Sequence, residues 1–181
     1  YVSDYLVMSF ILFILCQSNL SSKEMILDQL KNPKLTNQSQ QWSFITDKVM
    51  GGVSTGKFIV EKVDGVMCYR MIGDVSTKNN GGFIQSRVGV YLNSNDFEGI
   101  RLKIRGNNNE YFVHLRAPRM MPWNYYYAEF YASNEWQIIE LPLSSFKYSR
   151  NQKQGLDFKT IRSIGLVSYG KDFKSQLDIE N

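Results

Sequence analysis

The sequence predicts an all-β fold, a jelly-roll sandwich, and three observations predict it. From Trp42 onward, short runs of alternating apolar and polar residues follow one another, each bounded by turn-forming residues. Helical periodicity is nearly absent over the same stretch. Aromatic side chains, which suit a pleated and half-buried surface, make up 14% of the 181 residues. Many short strands without intervening helices close into a sandwich or jelly roll.

The chain opens on an apolar run at residues 6–16, LVMSFILFILC. The run is too short to span a bilayer as a helix but has the length of a signal-peptide core. Residues 1–22 are therefore read as a signal peptide or a non-native lead-in, ahead of one sandwich domain at 23–181. Export would make the protein periplasmic. Against export stand the absence of a basic residue before the run and of a small-x-small site after it. Leu15 before Cys16 also speaks against a lipoprotein site. Without export the protein is cytoplasmic. The chain begins at Tyr1, with Met8 as another start. Residues 23–35 hold a short helix or an irregular lead-in, interrupted by Pro33.

Residues 57–63 and 66–72 read as strands joined at Asp64-Gly65, a two-residue hairpin signal. The clearest strand is 99–106, GIRLKIRG, with Ile100, Leu102 and Ile104 on one side and Arg101, Lys103 and Arg105 on the other. Gly106 to Asn109 form a turn, since Gly and Asn tolerate positive φ. Residues 111–116, YFVHLR, are expected to return as the hairpin partner of 99–106, burying Tyr111, Val113 and Leu115. Stretches 82–88, 125–132, 136–141, 163–167 and 173–179 complete about nine strands. The last runs to the end of the chain and reads as short of a few residues.

Composition narrows the function classes. The net charge of +4 is spread along the chain without a basic stripe, which argues against nucleic-acid binding. Cys16 and Cys68 give neither a disulfide framework nor zinc spacing, and Cys68, among strand-like neighbours, reads as a small buried hydrophobe. The one histidine, His114, has no partner visible in sequence for a Ser-His-Asp or Cys-His system. A metal site would need several converging ligands. No catalytic residue, metal ligand or cofactor is assigned, although a pair of carboxylates brought together in space, with Glu129 a member, stays open. Gly51-Gly52 and Gly81-Gly82 are not followed by a phosphate-binding Lys-Ser/Thr and read as turns where another segment approaches closely.

The segments TDKVMGGVS (46–54), NNGGF (79–83), EGIRLKIRG (98–106), YFVHLR, PW (122–123), YAEF (127–130), LPLSSF (141–146) and SIGLVSYG (163–170) occur in an order that resembles the complex I intermediate-associated protein 30 family. The resemblance covers about residues 42–179. It implies a galactose-binding-like jelly roll and an assembly or chaperone-like role toward a protein partner in respiratory complex I, the NADH:ubiquinone oxidoreductase. Eukaryotic relatives are mitochondrial. Its motif turns here are Asp47, Met50, Gly51, Gly52, Ser54, Asn80, Gly81 and Gly82.

Strand parity supplies a candidate binding face. If Tyr111, Val113 and Leu115 point inward, Phe112, His114 and Arg116 share the opposite face. Tyr126, Ala128 and Phe130 suit the core, leaving Tyr125, Tyr127 and Glu129 outside. Arg87 and Trp123 flank this surface. Arginine with tyrosine and tryptophan is the makeup of a protein-binding hot spot, and aromatic platforms beside polar groups also suit sugar rings. The expected partner is a protein, with a carbohydrate as the alternative. Membrane contact is expected only through the N-terminal segment or a membrane-protein partner.

Overall fold

Alternation of apolar and polar residues becomes two stacked antiparallel sheets. The computed structural model describes residues 24–92, 96–150 and 155–180; the apolar run at 6–16 lies outside the described residues. Eleven strands are described: β1 (Ser43–Thr46), β2 (Thr55–Val63), β3 (Val66–Val75), β4 (Phe83–Gly89), β5 (Gly99–Arg105), β6 (Asn109–Arg116), β7 (Tyr126–Ala132), β8 (Gln137–Pro142), β9 (Lys147–Tyr148), β10 (Ser163–Tyr169) and β11 (Phe173–Glu180). A six-stranded sheet runs β1-β4-β10-β6-β7-β9 and a five-stranded sheet runs β2-β3-β11-β5-β8.

The core lies between the sheets. Tyr111, Val113, Leu115, Tyr126, Ala128, Phe130, Ile84 and Leu166 enter it from one side, and Met71, Ile104, Leu177 and Ile179 from the other. Asp64 and Gly65 make the β2–β3 turn with φ of 48° and 83°, the left-handed backbone that a two-residue hairpin requires.

The expectation that 99–106 and 111–116 form a hairpin is corrected. β5 pairs with β8 and β11, whereas β6 pairs with β10 and β7, in the other sheet. Apolar alternation cannot separate the two arrangements, because in both of them Ile104 and Tyr111 face the same core. The turn crosses the sandwich instead. Asn107 Nδ2 donates to the Lys174 carbonyl at 2.7 Å, and the Tyr111 hydroxyl bonds Asn107 Oδ1 at 2.5 Å and the Gln176 carbonyl at 2.8 Å.

The segment before β1 is irregular and clasped by one carboxylate. Asp28 Oδ2 accepts from Trp42 Nε1 and from the Tyr69 hydroxyl, both at 2.8 Å. This fixes the lead-in over the Trp42–Phe58–Tyr69 ring cluster.

Candidate functional site

Backbone pairing builds the candidate face. On the outer side of the six-stranded sheet, Tyr127 (β7), His114 (β6), Gly165 (β10) and Arg87 (β4) align in one cross-strand row. Glu129, Phe112, Val167 and Gln85 form the next. Each points outward because its alternate neighbours are buried in the core.

Rings dominate the middle of this face. His114 stacks on Tyr125 with centroids 4.1 Å apart and planes 14° apart. Phe112 meets Tyr169 edge-on at 5.9 Å and Tyr127 at 6.3 Å. Tyr125 precedes β7, so its ring folds back over His114, which is only 7% exposed. Burial, and then the Arg116 charge, press the imidazole down to a pKa of about 3, so it is neutral at physiological pH. Burial and the neighbouring Tyr169, to which it is hydrogen-bonded, push the Tyr125 phenol up to about 12. His114 is thus a neutral platform inside the cluster rather than an acid–base group at a surface.

Two guanidiniums border the rings. Arg116 lies 5.7 Å from the Tyr125 ring centroid, within cation–π range, and donates to the carbonyls of Met121 and Pro122. Its Nε is buried without a hydrogen-bond partner. Burial lowers its pKa, and the positive charge of Arg87 lowers it further. Among the described residues neither Arg87 nor Arg116 pairs with a carboxylate.

The other expected residues sit at the margin. Glu129 is exposed, with Lys147 at 3.8 Å. Trp123 occupies the β6–β7 connection, 51% exposed, and its ring contact is to the Arg150 guanidinium at 5.6 Å rather than to the cluster. Tyr169 and Gln85 belong to the face but escaped the sequence reading. Strand alternation from Gly165 through Val167 signals Tyr169, once β10 is extended two residues. An apolar groove runs under the lead-in, past Met25, Leu27, Trp42 and Tyr69, and includes none of the ring cluster. Among the described residues no group of three or more His, Cys, Asp or Glu is placed to hold a metal ion.

The motif turns assemble elsewhere, at the end of the sheet, around Asp47. This residue is fully buried. Its Oδ1 accepts from Ser54 N at 2.9 Å, and its Oδ2 accepts from Ser54 Oγ at 2.5 Å, Gly82 N at 2.6 Å and Phe83 N at 3.4 Å. Burial opposes the charge, but these four donors prevail and hold the carboxyl below the usual range. The glycines exist to let chain approach it: a Cβ on Gly52 or Gly81 would lie 2.3 or 2.4 Å from Asp47 carboxyl atoms. Asn80, at φ 57°, and Gly82, at φ 126°, turn the second segment toward the carboxylate. Gly51, at φ 88°, turns the first, and Met50 beside it is 61% exposed.

A family model described as Complex I intermediate-associated protein 30 (CIA30) matches residues 29–179. The chain belongs to the CIA30 family. No curated protein matches it in sequence. Among solved structures, this CIA30 domain resembles the family 11 carbohydrate-binding module of the cellulosomal cellulase Lic26A-Cel5E of Clostridium thermocellum, with TM-score 0.66 and 17% identity over 88% of this chain and 92% of that one. The Clostridium thermocellum family 11 module in complex with a β-1,3-1,4-mixed-linked tetrasaccharide gives TM-score 0.59 and 17% identity over 77% and 85%. A family 30 module of the Clostridium thermocellum cellulase Cel9D-Cel44B gives TM-score 0.56 and 10% identity over 83% and 90%. These likenesses establish the jelly-roll sandwich expected from strand count and motif order.

Proposed function

We propose that this protein is a non-catalytic binding domain that holds a protein partner across the outer face of its six-stranded sheet, as an assembly or chaperone-like factor for respiratory complex I. The observation that carries this reading is the pairing of the ring cluster with two arginines that lack a carboxylate. Arg87 and Arg116 are charged, one is half buried, and an acidic segment of a partner would supply the missing counter-charge. Tyr127, Phe112 and Tyr169 offer flat rings for its apolar side chains, the composition of a protein hot spot. Membership of the CIA30 family favours a complex I subunit or assembly intermediate as that partner. No cofactor is needed for such a role.

The test is native pull-down from the source cell with mass-spectrometric identification, using wild type and the Arg87→Ala/Tyr127→Ala pair. Recovery of respiratory-complex subunits by wild type, reduced at least tenfold in the double variant, is expected. Equal recovery by both, or no protein partner at all, would sink the assignment.

A second reading places an oligosaccharide on the same face. The 46% exposure of Tyr169 and 51% exposure of Trp123 favour it, since a sugar ring stacks on such surfaces. It predicts measurable oligosaccharide affinity that Tyr127→Ala or Trp123→Ala weakens. A blank glycan screen with folded protein would remove it.

A further inference from the structure

We propose that the end of the sandwich built around Asp47 is a membrane-contacting tip, seating Val49, Met50 and Val53 in an anionic lipid surface. These three side chains are 76%, 61% and 43% exposed, and all lie in the loop between β1 and β2. Scattered apolar residues on a surface need no explanation, but three within five consecutive residues, 49–53, form a patch.

The loop cannot fold them away. Asp47, just before them, accepts from Ser54 N and Oγ just after them and from Gly82 N and Phe83 N of a second turn, and Gly52 and Gly81 close on its carboxyl too tightly for any side chain. Two neighbouring turns are tied to the same knot. Asn79 Nδ2 donates to the Gly51 carbonyl at 3.3 Å, and Gly170 N donates to the Gly82 carbonyl at 2.9 Å. The sequence motif therefore ties down a turn that keeps three apolar side chains exposed beyond the end of β1.

Charge selects the occupant. The three joined turns carry Lys48, Lys78 and Lys171, all exposed, and among the described residues none of them is in an ion pair. The same turns carry two carboxylates, the buried Asp47 and the exposed Asp172, which accepts from Thr77 N and Oγ1 at 2.6 and 2.8 Å and feels the Lys78 charge, so three lysines face one exposed carboxylate. Apolar side chains on turns that also carry three exposed lysines match an interface that is apolar inside and negative at its surface. Contact of this kind is peripheral: no helix among the described residues is long and apolar enough to cross a membrane.

The test is co-flotation of the full chain with vesicles of phosphatidylcholine alone and of phosphatidylcholine with roughly a quarter phosphatidylglycerol, enough to create a negative surface. Binding to the anionic vesicles is expected, falling about tenfold or more in Val49→Asp/Met50→Asp and about fivefold for each lysine replaced by alanine at 48, 78 or 171. Because the apolar run at 6–16 can bind lipid by itself, the comparison of variants within the full chain is decisive. Equal binding by wild type and the aspartate pair would overturn the proposal, as would no binding at all. A Val49→Trp variant supplies a second readout: its added fluorescence should shift to the blue and be quenched by brominated lipid, and an unshifted, unquenched signal would also overturn it. Loss of a protein partner in the aspartate pair without any vesicle binding would reassign the tip to protein contact. Pull-down with the Arg87→Ala/Tyr127→Ala pair reports on the sheet face independently.

Discussion

The two sheets turn very different faces to the outside. On the five-stranded sheet, Arg70 grips Asp178 through Nε at 2.6 Å and Nη2 at 3.0 Å and also reaches Glu61 at 3.3 Å. Arg105 pairs with Asp64, and Arg101 with Glu140 at 3.0 Å. Cys68, on the strand that carries Arg70, is fully buried, and burial with the Asp178 charge pushes its thiol up to about 11. On the six-stranded sheet, Arg116 lies over the Tyr125 ring, and among the described residues neither it nor Arg87 pairs with an acid. A face that meets water alone can neutralise its charges within itself. A face that leaves guanidiniums unpaired beside half-covered aromatics is the one we propose to meet a partner's counter-charge.

The comparison predicts, first, that the paired face matters for stability and not for binding. Arg70→Met removes both guanidinium hydrogen bonds and leaves Asp178, which is fully buried, with only Arg105 Nε at 3.8 Å. Breaking a buried pair this way costs about 3–5 kcal/mol. Urea denaturation should show that loss, while recovery of the protein partner from refolded, intact material stays at the wild-type level. A variant of wild-type stability would mean that Asp178 is not held by this pair.

The second effect concerns the knot at the end of the sheets. Asp47→Asn places an amide donor against the Gly82 N–H and the Ser54 hydroxyl, and should cost about 3 kcal/mol in the same experiment, since charge-assisted bonds are lost and donors are left opposed. The wild-type carboxyl titrates below its unfolded value. Its contribution is therefore fully present above the ordinary aspartate range and disappears as pH falls through the lowered folded value. Asp47→Asn should remove that acid-limb dependence and weaken vesicle binding more than partner binding. The opposite order would place the protein-binding surface at the tip.

How much of this contrast was legible in sequence depends on the range of the interaction. Alternation in single strands gave the faces of Ile104, Val113 and Ala128 directly, because parity is local. Which sheet each strand joins is not local, and for that reason alternation alone predicts one hairpin from β5 and β6. The four-residue β1 and two-residue β9 are too short to carry a period. The Gly51-Gly52 and Gly81-Gly82 pairs signalled a close approach, but nothing in their spacing named Asp47 as the group approached. Arg70 and Asp178 lie 108 positions apart, so the pairing that makes one face self-sufficient appears only in three dimensions.

A third experiment probes the ring cluster through its histidine. The unfolded imidazole binds a proton near pH 6.5, whereas the folded one resists down to about 3. A base with a lowered folded pKa leaves the native state fully stable above the unfolded value, and stability declines as pH falls between the two. The loss from pH 7 to pH 5 should be about 2 kcal/mol. His114→Phe, which keeps a flat ring against Tyr125, should flatten the curve over that window, as read by thermal melts at a series of pH values. A wild-type curve that is already flat there would show His114 to be open to water, and the platform with it.

The smallest stability change gives the sharpest contrast. Arg101→Gln and Arg87→Gln make the same chemical change on opposite faces. Arg101 is well exposed, with 59% of its side chain accessible, and its ion pairs with Glu140 and Glu24 are of the kind that contributes little. Arg87 has no ion pair to lose among the described residues. Both variants should therefore melt within about 0.5 kcal/mol of wild type. Their binding should diverge, because Arg101→Gln leaves the candidate face untouched, whereas Arg87→Gln removes one of the two charges proposed to meet an acidic partner. Partner recovery unchanged in the first and reduced severalfold in the second would tie the unpaired guanidinium to function. Equal recovery in both would make Arg87 an ordinary solvated charge, and the difference between the two faces would then be one of packing alone.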